Sequence, residues 1–139
     1  MAGRALSSIP FLKELTVNAN LQLATLCRDP EVVKAYTADP LVHPYISLRT
    51  AASVLGGGDY MRSTGHALFK KPLLMAFGTG DKLTNFAEGK AFFDKVGSTD
   101  KTFTSYEGYY HELHNEPEKD AVIKSYAEWI LQRSNKARM

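Results

Sequence analysis

The sequence predicts an α/β protein in which a helical first half is followed by two parallel strands, each leading through a loop into a helix. A continuous apolar run at residues 72–77 indicates the first strand, because a run of this length without polar alternation is typical of a strand buried on both faces. Residues 101–106 form the second strand candidate. A right-handed crossover between the two would bring both strand ends to one edge of the sheet.

A helical pattern follows each of these strands. Thr84 or Asn85 can cap a helix that runs to about residue 96. Its apolar positions are Phe86, Phe92, Phe93 and Val96. Pro117 starts the last helix. The apolar positions of that helix, at helical spacing, are Val122, Ile123, Tyr126, Trp129 and Ile130.

The first half begins with two helical patterns. Apolar residues at helical intervals predict one helix over residues 9–26, although the polar and β-branched stretch 16–20 weakens its middle. Asp29 and Pro30 then form a typical helix start, with the aspartate as N-cap and the proline as first helical residue. A short helix over residues 32–36 should follow.

A turn and a further helical region complete this half. Asp39 precedes a proline, which forces an extended or turn conformation. Residues 47–55 predict a helix, and the glycine run 56–58 should break it before a second helical stretch at residues 59–66. The glycine run lacks the Lys and Ser/Thr of a phosphate-binding loop, so a hinge is the simpler interpretation.

The predicted sheet is incomplete. Two strands are too few for a stable open sheet, which normally needs three or more strands or cover from other elements. Both faces of the strand at residues 72–77 also call for burial. We therefore expect the chain to be incomplete as a free-standing domain.

Composition narrows the class of protein. With 44% apolar and 23% charged residues, the 139-residue chain is of ordinary globular type. A net charge of +2 without basic clustering argues against nucleic acid as a partner. The single cysteine, Cys27, cannot form an internal disulfide, and no secretory start or membrane-length apolar run is present. These features favour a reducing, intracellular setting.

An acid and a histidine follow the two predicted strands. Asp81 lies in the loop after the first strand, and His111 lies in the loop after the second. In acyl transfer a histidine takes the proton of a serine nucleophile, and a carboxylate fixes the tautomer of that histidine. Acid before histidine is the order of the last two members of one such triad, but no Gly-x-Ser-x-Gly turn comes before them here.

Each residue of this pair also has a simpler interpretation. Asp81 on its own could be a turn or helix-cap aspartate, and His111 could be packed or solvated. Their order and placement favour a catalytic pair. His114 could instead be the base, or a metal ligand together with His111, but further ligands at matching spacing are not evident. We therefore favour a structural role for His114, and predict no metal site and no cofactor.

Four ordered blocks of the sequence stand out, at residues 26–36, 39–42, 78–81 and 106–116. Together they resemble the monoacylglycerol lipase family, the lysophospholipase-like serine hydrolases of the α/β-hydrolase fold. The resemblance runs from about residue 5 to residue 133 and corresponds to the later half of a family member. It implies the C-terminal portion of an α/β-hydrolase fold: a helical cap at residues 1–68, then the last two parallel strands and two helices at residues 69–139.

The resemblance also implies functional roles. It makes Asp81 the triad acid and His111 the triad histidine, while the serine nucleophile is absent from this chain. The complete protein would hydrolyse monoacylglycerols or similar lipid esters, and the chain alone would be inactive. The apolar residues Leu23, Leu26, Val32 and Val33 most simply face the core or a partner, but they could equally line a lipid-entry surface. The resemblance implies that the cap contacts a membrane or lipid droplet, and that the protein is cytoplasmic or peripheral to lipid surfaces.

Two alternatives stay open at this stage. The chain could be a non-catalytic, hydrolase-like interaction protein, because its open strand edge suits association. It could also belong to a peptidase or acyltransferase on the same fold, since a fold does not fix the substrate. The sequence specifies neither the acyl-chain length, nor the head group, nor an oligomeric state.

Overall fold

A computed structural model of the chain describes residues 14–136. In chain order its elements are β1 (Thr16–Asn18), α1 (Pro30–Ala38), β2 (Tyr45–Ser47), α2 (Leu48–Tyr60), β3 (Leu73–Gly78), α3 (Phe86–Lys95), β4 (Lys101–Tyr106) and α4 (Lys119–Lys136). Single 3-10 turns lie at Leu23–Thr25 and Leu113–Asn115. Helix α2 runs on through a π-helical turn, Met61–Gly65, into a last turn, His66–Leu68.

Strands β3 and β4 form the predicted parallel pair. Their register aligns Leu73 with Lys101 and Gly78 with Tyr106, so both strands end at the same edge. Helix α3 makes the crossover between them. Within the described residues these strands pair only with each other, and residues 73–77 are half-buried rather than buried. This confirms the α/β fold with an incomplete sheet.

An aromatic cluster joins α3 to the sheet. The Phe103 ring of β4 lies 5.2 Å from Phe93, 5.9 Å from Phe86 and 5.9 Å from Phe77, measured between ring centroids. Aromatic pairs at these separations stabilise packing beyond the area that they bury. The cluster therefore fixes α3 against the strands that carry the two functional loops.

Helix α4 is attached to β4 by side-chain hydrogen bonds. The indole Nε1 of Trp129 donates to the hydroxyl of Thr102 over 3.0 Å, and the hydroxyls of Tyr106 and Ser125 lie 2.8 Å apart. Val122 of the same helix is fully buried. The helix predicted to start at Pro117 is thus confirmed, with its first residue at Lys119.

A lysine of β4 caps the C-terminal end of α3. The Nζ of Lys101 donates to the backbone carbonyls of Phe93, Asp94 and Val96 over 2.7, 3.1 and 3.0 Å. The last carbonyls of a helix lack partners within the helix, and they carry the negative end of its dipole.

Replacing this lysine should weaken the fold. For Lys101→Met we expect a loss of about 1–2 kcal/mol in the free energy of unfolding, because three carbonyls lose a charged donor. Urea unfolding would measure it, with Lys95→Met, an exposed lysine in the last turn of the same helix, as the control. Equal stability of the two variants would contradict the role given to Lys101.

The helix predicted over residues 9–26 is wrong in the part that the structure describes. Residues 9–13 lie outside the described range; residues 14–26 hold strand β1 and a 3-10 turn. Strand β1 pairs antiparallel with β2, with Val17 opposite Ile46. The physical reason lies in the weak middle of the pattern, where Thr16 and Val17 are β-branched and Asn20 takes a left-handed φ of 50°.

The start of α1 is as predicted, whereas the break in α2 is not. The carboxylate of Asp29 accepts a hydrogen bond from Glu31 N over 2.9 Å and caps α1.

Helix α2 continues through the glycine run 56–58 to Tyr60, so the predicted break there is wrong. A helical glycine costs about 1 kcal/mol relative to alanine, a preference that the rest of a helix can outweigh. The irregularity comes instead at the π-helical turn, Met61–Gly65.

Candidate active site

Two loops at the carboxyl edge of the sheet lie directly against each other. Thr79 N donates to Tyr106 O and Gly80 N donates to Tyr109 O, both over 2.9 Å. In return, Gly108 N donates to the hydroxyl of Thr79 over 2.8 Å. These bonds join the loop after β3, which carries Asp81, to the loop after β4, which carries His111.

Two glycines make this close approach possible. A Cβ atom on Gly78 would lie 2.1 Å from the carbonyl oxygen of Tyr109, and one on Gly80 would lie 2.9 Å from that of Gly108. Gly108 itself has a φ of 75°, which favours glycine. Sequence reasoning missed the first two roles, although the signal, Gly78-Thr79-Gly80 directly before Asp81, was present.

The structure brings Asp81 and His111 together. His111 Nδ1 lies 2.9 Å from Asp81 Oδ2. The Asp81 side chain is 3% exposed, while the His111 side chain is 38% exposed. A buried acid therefore holds a histidine whose ring reaches solvent, the arrangement expected when the other ring nitrogen is to serve an external group.

The carboxylate of Asp81 is held by its own loop. Its Oδ1 accepts from Leu83 N over 2.7 Å and from Thr84 N over 3.0 Å, and its Oδ2 accepts from the Thr84 hydroxyl. The sequence predicts Thr84 or Asn85 as a helix cap. Asn85 is the cap of α3, accepting from Glu88 N over 3.0 Å, and Thr84 serves the acid instead.

Hydrogen bonding keeps Asp81 ionised. Burial acts to raise the pKa of Asp81, but the bonds from the Thr84 hydroxyl, from His111 and from the two backbone amides outweigh it, and the pKa is lowered. An ionised carboxylate can only accept hydrogen bonds. The proton between the two side chains therefore lies on Nδ1, which leaves Nε2 of the neutral ring as an acceptor.

This lowered pKa predicts a pH dependence of stability. Because the pKa is lower in the folded chain than in the unfolded chain, Asp81 stabilises the fold above its unfolded-state pKa of about 3.9, and this stabilisation is lost as the pH falls through the folded-state pKa. We expect unfolding free energies measured from pH 6 down to about pH 2 to fall less steeply for Asp81→Asn than for the wild type. Parallel curves would show that Asp81 titrates alike in both states.

The other candidates in these loops take different places. His114 lies in the 3-10 turn Leu113–Asn115 with an exposed side chain, and of the two loop histidines His111 is the one that contacts the acid. The sequence predicts three solvated charges in these loops. Lys82 and Glu107 are exposed, whereas Glu112 is half-buried because it accepts a hydrogen bond from Asn115 Nδ2 over 2.8 Å. Within residues 14–136, no group of three or more His, Cys, Asp or Glu side chains is arranged to hold a metal ion.

One buried residue of the histidine loop escaped sequence reasoning. Glu116 is fully buried, and its carboxylate accepts hydrogen bonds from Tyr110 N and from Arg28, both in its backbone N and its Nε. From the sequence alone, a glutamate directly before a proline is expected to be an exposed residue at a helix start. A pattern of charges alone could not show that Arg28, 88 positions earlier, would cover it.

Comparison with known proteins places the chain in a family. The model of the family described as serine aminopeptidase, S33, matches residues 4–118, a range that contains both Asp81 and His111. A monoacylglycerol lipase of Mycolicibacterium smegmatis is 39% identical over 113 residues, which are 81% of this chain and 40% of that enzyme. The phospholipase YtpA of Bacillus subtilis is 31% identical over 126 residues, 90% of this chain and 48% of that protein.

A solved structure shows the same fold. The crystal structure of the Paleococcus ferrophilus monoacylglycerol lipase superposes with a TM-score of 0.83 at 30% identity, over 94% of this chain and 50% of that one. The chain thus spans about half or less of the length of these relatives. With more than half of its residues matched by the family model, the chain belongs to the serine aminopeptidase S33 family and is a monoacylglycerol lipase-like α/β-hydrolase.

Proposed function

We propose that this chain provides the acid and the histidine of a serine ester hydrolase, and that the nucleophilic serine comes from residues outside these 139. The observation that carries the proposal is the 2.9 Å hydrogen bond from His111 Nδ1 to the buried, ionised Asp81. It orients Nε2 away from the acid, which is the requirement for a general base in acyl transfer.

The chemistry follows from this pair. His111 Nε2 would take the proton of the serine as its oxygen attacks the ester carbonyl, and Asp81 would stabilise the imidazolium that forms. The imidazolium would return the proton to the leaving alcohol, which yields an acyl-enzyme. A water molecule, deprotonated by the same nitrogen, would then release the fatty acid and regenerate the serine.

The proposed substrate is a monoacylglycerol or a similar lipid ester. Relatives named as a monoacylglycerol lipase and a phospholipase support a lipid substrate. We assign residues 1–68 to a cap and residues 69–139 to the core. The cap carries exposed apolar side chains, among them Leu41 at 87% and Leu55 at 69% exposure, which suit contact with a membrane or lipid droplet inside the cell.

In the part of the chain that the structure describes, no helix has the length and apolarity to cross a bilayer. The proposed lipid contact would involve the exposed cap side chains.

The isolated 139-residue chain should not hydrolyse esters. None of its serines lies in a Gly-x-Ser-x-Gly turn, and a triad enzyme without its nucleophile loses most of its rate. A fluorophosphonate probe, which labels activated serines, should leave the pure chain unmodified in an intact-mass spectrum. Covalent labelling of any serine in this chain would overturn the proposal that the nucleophile lies elsewhere.

A panel of substrates tests the proposed function in the protein as its source produces it. We expect hydrolysis of monoacylglycerols, with faster turnover on emulsified than on dispersed substrate if the cap meets a lipid surface. The family description favours a second candidate, a peptidase, so an aminoacyl amide belongs in the panel. Cleavage of the amide without cleavage of the ester would replace the lipase proposal with a peptidase. A source protein that does not react with the fluorophosphonate probe would favour a non-catalytic interaction protein.

A further inference from the structure

Glu116 is a buried carboxylate that the proposed reaction does not use. Its side chain has no solvent exposure. Oε1 accepts from Tyr110 N over 2.6 Å, while Oε2 accepts from Arg28 Nε over 2.6 Å and from Arg28 N over 3.3 Å. Burying a carboxylate is costly unless it is paired and hydrogen-bonded, and here both oxygens are satisfied.

These contacts close the histidine loop on itself. Glu116 lies after the 3-10 turn Leu113–Asn115 and reaches back six residues to the amide of Tyr110, the residue directly before His111. His111 therefore lies inside a loop whose two ends are joined by a short hydrogen bond to a charged acceptor. Such bonds are about twice as strong as those between neutral groups.

The same carboxylate ties the loop to the segment before α1. Arg28 also pairs with Glu118, and its guanidinium lies over the ring of Tyr109, 4.3 Å from the centroid. Glu112, the residue directly after His111, donates its backbone N–H to Leu26 O over 2.7 Å. Leu26 and Arg28 thus add contacts to the histidine loop beside those that the loop of Asp81 makes.

We propose that Glu116 is a positioning residue that holds the His111 loop, through the Tyr110 amide and Arg28, in the geometry in which His111 Nδ1 reaches Asp81. Its importance for catalysis rests on the proposed function, but its effect on His111 does not. The consequence is a strong bias of the neutral ring toward the Nδ1–H tautomer, because the Asp81 carboxylate accepts that proton.

The tautomer is measurable without any ester turnover. Long-range proton–nitrogen correlation spectra of the 15N-labelled complete protein, recorded at alkaline pH, distinguish Nδ1–H from Nε2–H in each histidine. The His111 signals are assigned by their loss in His111→Asn. The indole signal of Trp129, assigned by its loss in Trp129→Phe, reports whether α4 still packs on β4.

Three variants form an ordered series. Glu116→Ala should lower the Nδ1–H to Nε2–H ratio of His111 by about tenfold, as expected for the loss of a hydrogen bond to a charged group, with the Trp129 signal unchanged. Glu116→Gln should have a smaller effect, because its amide oxygen can still accept from Tyr110 N while the pairing with Arg28 is lost. Glu118→Gln removes the charge of the exposed partner of Arg28 but keeps an amide oxygen that can accept from Arg28 and Tyr109. It is the control and should leave the ratio unchanged.

Several outcomes would overturn the proposal. An unchanged ratio in Glu116→Ala with an intact Trp129 signal would show that His111 is positioned without Glu116. Loss of the Trp129 signal in both Glu116 variants would show a role in the fold as a whole. If His111 of the wild type showed no bias toward Nδ1–H, its Nδ1 would not donate to Asp81, and Glu116 could not be maintaining that hydrogen bond. None of these results depends on whether the complete protein hydrolyses esters, so failure of the proposed function is separately visible in the substrate panel.

Discussion

Asp81→Asn in the complete enzyme should lower turnover by about four powers of ten while leaving the Michaelis constant near its wild-type value. The local hydrogen bonds explain why an isosteric change is so costly. Oδ1 of the acid accepts from two backbone amides, so the asparagine oxygen will take that position. Its NH₂ group then faces His111 Nδ1 and donates to it. This favours the Nε2–H tautomer, which cannot accept the serine proton.

The measurement is steady-state turnover of a monoacylglycerol by the purified complete enzyme. Asp94→Asn is the matched control, because Asp94 is an exposed aspartate on α3 whose hydrogen-bonded side-chain partner is Lys90. It should retain wild-type turnover. Turnover within a few-fold of wild type in Asp81→Asn would remove this residue from the mechanism. A large rise in the Michaelis constant with unchanged turnover would point to a role in binding substrate.

Sequence reasoning succeeded for the half of the chain where several signals agree. The apolar run before Asp81, the helical pattern after it and the second strand each favoured the same crossover, and β3, α3 and β4 follow them closely. That agreement also predicted that Asp81 and His111 would meet. Local propensity, periodicity and turn chemistry all favoured one structure, which is the condition under which a pattern specifies a fold.

It failed where a single signal had to decide. Apolar spacing over residues 9–26 favoured a helix, but strand β1 forms because β2 lies about 30 positions later and offers it an edge. The low helix propensity of glycine predicts a break at residues 56–58. Helix α2 nevertheless continues through them, and a Cβ atom built at any of the three positions would have no atom within 4 Å. Glu116 stayed hidden for the same reason as β1, since its partner Arg28 is distant in sequence.

Of the glycine-to-alanine changes possible within residues 14–136, Gly78→Ala should destabilise the fold most. The new Cβ would lie 2.1 Å from Tyr109 O and 2.5 Å from both Tyr109 C and Tyr110 O, and all of these are backbone atoms that cannot turn aside like a flexible side chain. Adding atoms to a well-packed site commonly costs about 1–3 kcal/mol, and a clash with backbone belongs at or above the upper end. The histidine loop must move away from β3, so the Asp81–His111 hydrogen bond should be lost as well.

Gly57→Ala is the matched control for this change. Gly57 lies inside α2, and no atom is within 4 Å of a Cβ built there. Alanine should therefore leave the chain as stable or raise the free energy of unfolding by up to about 1 kcal/mol, through helix propensity and a less flexible unfolded state. Urea unfolding of both variants measures the difference. A lower free energy of unfolding in Gly78→Ala, with an equal or higher one in Gly57→Ala, would show that the close approach of the two loops is what requires glycine. An unchanged free energy of unfolding in Gly78→Ala would mean that the histidine loop does not lie against the end of β3.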